Sequence, residues 1–241
     1  MPARGCRATR CDVLPGFANV ATGGVRFVAL QRDLALGLAL NFSTMFTGIV
    51  TAIGEIVGTE PREKGLRLKI NSGALDLLDV GVGDSIAING VCLTVVKRDT
   101  GGFEVDVSQE TIDCTAGLGA PGPVNLEKSL RLADRLGGHL VSGHVDGVGE
   151  VIAFDAVGEN RRLVVRAPRE FAKYIARKGS ITVQGVSLTV NRVEDAQFEI
   201  NLIPHTLEVT TLRHLAPGAR VNLEVDLIAR YVERMLESSG I

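Results

Sequence analysis

Hydrophobic and polar residues alternate in short runs from residue 48 onwards, a pattern typical of half-buried β-strands. Gly83-Asp84 and Gly101-Gly102 are hairpin-turn signals between neighbouring runs. In the first half of this region the pattern predicts strands at 48–57, 66–71, 85–88, 92–97, 103–107 and 124–126. Six antiparallel strands in about 95 residues predict a small closed barrel, because closure removes exposed strand edges.

The same pattern then occurs a second time. The segment Gly-Val-Cys-Leu-Thr-Val at 90–95 returns as Gly-Val-Ser-Leu-Thr-Val at 185–190, a shift of 95 positions that also relates 53–56 to 148–151. Near the end, Asn-Leu-Glu at 125–127 returns at 222–224, and an insertion of two residues in a surface loop explains the change of shift. The duplication predicts an all-β fold of two tandem six-stranded antiparallel barrels.

Short helical segments are expected outside the strands. Insertions are predicted at 74–80 and 169–178, the second between Pro168 and Gly179, and a further helical turn at 130–136 joins the two copies. After Asp226 the apolar residues share one face, which predicts a C-terminal amphipathic helix. Its apolar face either packs on the chain's own barrels or mediates self-association.

These patterns divide the chain into a first barrel at 45–139, a second barrel at 140–225 and a helix at 226–241. Residues 1–44 carry five arginines and no lysine, which is weakly typical of a transit peptide. The alternative is a disordered extension or an upstream region translated before a true start at Met45. The apolar stretch at 34–40 is too short to span a bilayer, so no membrane anchor is predicted.

Composition narrows the class of partner. The formal net charge of −2 and the pI near 6.1 give no footprint for nucleic acid or an anionic membrane, which favours a small-molecule ligand. The four cysteines form no C-x-x-C pair, so neither a zinc site nor a disulfide framework is predicted. Thiols of this kind suit a cytoplasmic protein.

Four segments, at 45–50 (MFTGIV), 89–95 (NGVCLTV), 137–145 (GGHLVSGHV) and 202–207 (LIPHTL), make the chain resemble the riboflavin synthase family. The resemblance implies Greek-key barrels and a homotrimer held by C-terminal helices, and it leaves open an association with lumazine synthase. The active site would lie between the first barrel of one subunit and the second barrel of its neighbour. Each barrel would hold one 6,7-dimethyl-8-ribityllumazine, two molecules per site.

The family activity implied is the last step of riboflavin biosynthesis, without a cofactor. One lumazine gives a four-carbon unit to an identical molecule, yielding riboflavin and 5-amino-6-ribitylamino-pyrimidinedione. A duplicated barrel suits such a reaction because it supplies two related pockets. The alternative is a lumazine- or flavin-carrying fluorescence protein, which shares the barrels but does not turn its ligand over. Both copies keep their Thr and Cys/Ser positions, which favours the enzyme.

The resemblance assigns catalytic roles to Cys92, Ser85, His144 and Ser187. It assigns the first pocket to Gly48, Ile49, Val50, Cys92, Leu93, Thr94, Asp106, Val107, Ser108, Gln109, Glu110 and Thr111. It assigns the second pocket to Gly143, His144, Val145, Lys178, Ser187, Leu188, Thr189, Ile203, Pro204, His205, Thr206 and Leu207.

Several residues keep more than one interpretation. Cys92 is a nucleophile, a ring contact or a small buried hydrophobe. His144 could take a proton from the C7 methyl group of the ligand, or be a strand histidine without chemistry. Gln184 stands where many family members have an acid, and an amide cannot exchange protons as a carboxylate can. His139 is expected to be a linker residue with no chemistry.

Overall fold

The computed structural model describes residues 45–239, which form two closed barrels of six antiparallel strands each. The strand order in the first barrel is β1-β2-β5-β4-β3-β6, a Greek-key arrangement. Its strands are β1 (Ala52–Arg62), β2 (Gly65–Asn71), β3 (Ser85–Ile88), β4 (Val91–Arg98), β5 (Gly102–Ser108) and β6 (Gly122–Lys128).

The second barrel has the same order with every strand number raised by six, as the duplication predicts. Its strands are β7 (Gly147–Val157), β8 (Asn160–Arg166), β9 (Ser180–Val183), β10 (Val186–Glu194), β11 (Gln197–Leu202) and β12 (Arg220–Val225). Each barrel encloses its own apolar core, because alternate residues of each strand point inward. Phe103 and Phe198 occupy equivalent positions in the two cores.

In each barrel, one pair of neighbouring strands is hydrogen-bonded over only part of its length. The pairing of β4 with β5 covers only Val95–Arg98 of β4, whereas residues 91–94 pair only with β3 and residues 106–108 pair only with β2. The pairing of β10 with β11 is likewise confined to Val190–Glu194. Each barrel wall therefore opens into a gap beside the repeated Gly-Val-Cys/Ser-Leu-Thr segment.

The short helices differ from the prediction. Residues 74–80 and 130–136 form turns instead of helices. In the first of these segments, Leu75, Leu77 and Val80 follow the barrel wall as a loop and bury their side chains in the first core. The segment 169–178 contains a 3₁₀ helix only at Arg169–Tyr174. Two helices of six residues were not predicted: α1 (Gln109–Cys114) after β5 and α2 (Pro204–Val209) after β11.

The C-terminal helix α3 (Leu227–Ser239) is present, but its apolar face does not pack on the barrels. Ile228, Tyr231 and Met235 are 62%, 65% and 70% exposed. Polar contacts attach the helix to the second barrel: Glu233 bonds with Lys173 and Tyr174, and Arg230 forms an ion pair with Asp146. No helix within 45–239 is long and apolar enough to cross a membrane.

Candidate functional site

Each gap presents main-chain N–H groups along one edge. The N–H of Val95 donates to Asp84 on the β3 side, whereas the N–H of Cys92 donates to the Gly143 carbonyl on the opposite side. Because N–H groups alternate in direction along a strand, the N–H of Thr94 points the same way as that of Cys92, into the gap. In the second barrel, Thr189 holds the equivalent position beside Ser187.

The segment that enters each gap comes from the other copy. The Gly143 carbonyl accepts from Cys92 N at 2.8 Å, and the Gly48 carbonyl accepts from Ser187 N at 2.8 Å. These contacts place Gly143 beside Cys92 and Gly48 beside Ser187, whereas the sequence prediction grouped the pocket residues copy by copy. The valine two residues after each of these glycines also packs on the barrel of the other copy: Val145 on the first core and Val50 on the second.

Two buried carboxylates hold these crossing segments. Glu127 on β6 accepts from Thr47 N and Thr47 Oγ1, both at 2.7 Å, and from Gly48 N at 3.0 Å. Glu224 on β12 accepts from Ser142 N at 2.6 Å, Ser142 Oγ at 2.7 Å and Gly143 N at 3.0 Å. Desolvation by burial raises the pKa of both carboxyls, although these hydrogen bonds act in the opposite direction.

Both acids belong to the Asn-Leu-Glu repeat that relates the two copies, and neither is a predicted site residue. The signal that could have found them is a charged residue repeated within an otherwise buried strand pattern, Asn-Leu-Glu at 125–127 and 222–224. Acids are almost never fully buried unless their oxygens have partners, so such a repeat predicts a fixed polar contact.

Cys92 and Ser187 have different surroundings despite their equivalent positions. Cys92 is half-buried and packs against a small apolar cluster of Phe46, Ala87 and Val141 between the barrels. The Ser187 hydroxyl lies 2.7 Å from Nδ1 of His139. The side chain of the first site therefore faces an apolar cluster, and that of the second faces an imidazole.

His139, which the sequence predicts to be a linker residue with no chemistry, makes polar contacts at the second gap. Besides Ser187, its Nε2 lies 3.4 Å from Thr182 Oγ1, and its main-chain N–H donates to the Thr47 carbonyl. Burial lowers the pKa of the imidazole, and the negative charge of Asp226 raises it by less. His139 is therefore neutral near pH 7, with one ring nitrogen able to accept a proton.

The far edge of the first gap is polar. Asp106 on β5 is exposed and forms a two-point ion pair with Arg67, at 2.7 Å from Nε and 2.8 Å from Nη2. Ser108 caps α1 by accepting from Thr111 N at 3.1 Å, and its hydroxyl lies 2.9 Å from that of Thr111.

At the far edge of the second gap, Asn201 takes the place of Asp106, so a fixed negative charge is replaced by an amide. Helix α2 starts with Pro204 and has no side-chain cap.

The remaining candidates are distributed as follows. Leu93, Val107 and Leu188 bury their side chains in the cores, which leaves only their main chains for a ligand. The side chains that are exposed near the two gaps or at their rims are Ile49, Gln109, Glu110, His144, Lys178, Ile203, Pro204 and His205. Thr111, Thr206 and Leu207 are half-buried in the two short helices.

Ser85 lies in a different concavity. Its β3 position pairs with Thr94, but its side chain is buried and lines a cavity of about 480 Å³ that contains neither Cys92 nor Thr94. The other lining residues include Thr47, Ile49, Glu127, Lys128 and Arg131.

Gln184 lies at the joint between the barrels. Its Oε1 accepts from Asn222 N at 3.0 Å, and its counterpart Asn89 accepts from Asn125 N through Oδ1 at 2.9 Å. Both residues have left-handed backbones, with φ of 51° and 49°. This contact needs only an accepting oxygen, which the amide of Gln184 supplies.

Comparison with known proteins agrees with this architecture. A family model described as the lumazine binding domain matches the chain twice, at residues 47–129 and 142–226. The riboflavin synthase of Mycobacterium tuberculosis (strain ATCC 25618 / H37Rv) is 48% identical over 204 residues, which cover 81% of this chain and 100% of that protein. The riboflavin synthase of Photobacterium phosphoreum is 45% identical over 194 residues, covering 80% and 89% of the two chains.

Solved structures of LumP share the fold. LumP complexed with 6,7-dimethyl-8-(1'-D-ribityl) lumazine superposes with a TM-score of 0.67 at 25% identity, over 75% of this chain and 98% of that one. LumP complexed with riboflavin gives a TM-score of 0.68 at 27% identity, with the same coverage.

Proposed function

This chain belongs to the riboflavin synthase family, and we propose that it converts two molecules of 6,7-dimethyl-8-ribityllumazine into riboflavin and 5-amino-6-ribitylamino-pyrimidinedione. It is a transferase, because a four-carbon unit passes from one lumazine to the other. The observation that carries the proposal is the pair of equivalent gaps in one chain, each bordered by a Thr and by Cys92 or Ser187.

Two matched gaps suit a reaction between two copies of one substrate. Holding reactants in the correct geometry can lower a barrier by roughly 7–11 kcal/mol. We propose that the gap-facing N–H groups of Thr94 and Thr189 bond the polar edges of the two lumazine rings. The hydroxyls of Ser108 and Thr111 at the start of α1, and of Thr206 at the start of α2, then face the ribityl chains.

The differences between the gaps supply the acid–base chemistry. In the second gap, neutral His139 can accept the Ser187 hydroxyl proton, so Ser187 and His139 can relay a proton to and from the bound ring. In the first gap, Cys92, which packs on the cluster containing Phe46, contacts the bound ring, and its thiol is the candidate nucleophile. His144 adjoins this first gap because Gly143 bonds Cys92.

The deciding experiment is incubation of the purified protein with the lumazine alone. We expect riboflavin and the pyrimidinedione in equal amounts, because each turnover consumes two lumazines and releases one of each product. Binding without turnover would instead support a fluorescence carrier, which the curated relatives do not favour. Cys92→Ser, which copies the second site, separates the two roles of the thiol. Loss of turnover with binding retained supports a nucleophile, and retained turnover supports a ring contact.

We also propose a homotrimer joined through α3, whose exposed apolar residues need a partner surface. A first-barrel site would then meet the second-barrel site of a neighbouring subunit. Light scattering of the purified protein measures the mass, and a monomer at working concentration would contradict this proposal. Residence in the cytoplasm and association with lumazine synthase stay predictions of the family resemblance.

A further inference from the structure

Glu127 and Glu224 have no part in the chemistry proposed above, yet they are 6% and 4% exposed. Each carboxylate accepts three hydrogen bonds from two consecutive residues of a crossing segment. Burial of a carboxylate is unfavourable unless its oxygens are bonded, and bonds to a charged acceptor are stronger than neutral ones. The two sets of contacts match atom for atom between the copies.

The peptide group after Gly48 connects Glu127 to the second gap. Its carbonyl, that of Gly48, accepts from Ser187 N, and its N–H, that of Ile49, donates to Thr47 Oγ1 at 3.0 Å. The Thr47 hydroxyl in turn donates to Glu127. Because a peptide group is planar, fixing the N–H side also aims the carbonyl. Glu127 on the first barrel therefore holds a group that bonds the second barrel's site.

The other copy repeats this connection in the opposite direction. The Gly143 carbonyl accepts from Cys92 N, and the following N–H, that of His144, donates to Ser142 Oγ at 3.3 Å. The Ser142 hydroxyl donates to Glu224. Glu224 on the second barrel therefore holds the group that bonds Cys92.

We propose that the two carboxylates are positioning residues that act across the barrels, Glu127 on the Ser187 site and Glu224 on the Cys92 site. The inference rests on the proposed function for the meaning of the sites, but its geometry does not. Neither acid touches a ligand in this scheme. Each sets the position of the crossing segment that forms one wall of the other barrel's gap.

A purely local role predicts the opposite pattern. Glu127 pairs with Ala87 on β3, and Ala87 pairs with Cys92 on β4, so a disturbance passed along the sheet would reach the Cys92 site first. Glu224 is linked to Ser187 in the same way through Thr182. The two explanations therefore differ in which site responds to which acid.

The test compares Glu127→Gln with Glu224→Gln, each serving as the matched control of the other. In Gln an N–H₂ group replaces one carboxylate oxygen, which accepts either one or two of the three hydrogen bonds, so at least one bond is lost. Hydrogen exchange of the Ser187 and Cys92 amides is followed by NMR on full-length protein labelled with ¹⁵N-Ser, ¹⁵N-Cys and ¹⁵N-Thr. Riboflavin, the proposed product, is the binding probe, and its effect is read at the Thr94 and Thr189 amides.

We expect Glu127→Gln to accelerate exchange at Ser187 about tenfold or more, with weaker riboflavin effects at Thr189, and to leave Cys92 and Thr94 as in the parent. Glu224→Gln should give the reverse. Changes at the same-barrel site, or equal changes at both sites, would overturn the proposal. If either variant fails to fold, Thr47→Val and Ser142→Ala remove only the hydroxyl relay and should show the same crossed pattern more weakly.

The outcome is separable from that of the proposed function. Crossed exchange effects in a protein that forms no riboflavin from lumazine would uphold the positioning roles and refute the enzyme. Riboflavin formation with uncrossed effects would do the opposite.

Discussion

The contact between Gly48 and Ser187 gives the sharpest quantitative prediction, because Gly48→Ala disturbs it with a single methyl group. Gly48 has φ of +73°, and an added Cβ would lie 2.6 Å from Ser187 Cβ and 2.7 Å from Ser187 N. A left-handed backbone costs a residue with a side chain roughly 1–2 kcal/mol. Inserting a methyl group into packed surroundings costs about 1–3 kcal/mol more. The free energy of unfolding should therefore fall by about 2–5 kcal/mol.

Gly158→Ala is the matched control. Gly158 also has a left-handed backbone, with φ of +60°, but no atom lies within 4 Å of an added Cβ. Only the backbone cost of about 1–2 kcal/mol applies there, so the difference between the two variants isolates the contact with Ser187. Both values come from urea unfolding followed by circular dichroism, since the chain has no tryptophan for fluorescence.

Riboflavin formation should also differ between the Gly48→Ala and Gly158→Ala variants. Gly48→Ala should also reduce riboflavin formation, because the crossing segment must move away from the second gap, whereas Gly158→Ala should leave it unchanged. The reasoning is refuted if Gly48→Ala is no less stable than Gly158→Ala, or if it retains parental turnover.

Four further predictions concern the second site, the core and the helix. The lowered pKa of His139 keeps it neutral near pH 7, so kcat/KM should fall as the pH drops through that pKa. The His139→Gln variant should be slower by about 10²-fold or more, and its kcat/KM should no longer fall at low pH. The buried neutral imidazole of His139 stabilises the fold above the ordinary histidine pKa. This contribution to the free energy of unfolding should be lost as the pH falls through the pKa of His139 in the folded protein. Unchanged stability would contradict the burial of His139. Phe198→Ala should lower the free energy of unfolding by about 3–5 kcal/mol in urea titrations, because Phe198 is 1% exposed, and a loss below 1 kcal/mol would argue against a packed second core. Tyr231→Glu places a charge on the exposed apolar face of α3 and should lower the mass measured by light scattering while leaving the circular dichroism spectrum intact; an unchanged trimer would show that subunits associate elsewhere.

The sequence by itself determined the two-barrel fold. The repeat fixed the number of barrels, and alternation located strands such as β3 at the predicted 85–88 and β2 within one residue of 66–71. The alternation of apolar and polar residues predicts strands here because each strand buries every second side chain in the core of its own barrel. Helical patterning was less reliable: a helical insertion is predicted at 74–80, yet Leu75, Leu77 and Val80 are core residues of a loop.

Only the tertiary structure decided how the two sites are composed. The strand predicted from residue 48 begins at Ala52, because the residues before it leave their own sheet and bond Ser187. The carboxylate that holds this segment is 80 positions away from Thr47, and the imidazole beside Ser187 is 48 positions away from it. Periodicity reports the environment of a residue within its own strand. The position of each crossing segment depends on hydrogen bonds between residues that are far apart in the sequence. These contacts form only in the folded protein, so periodicity within one strand does not reveal them.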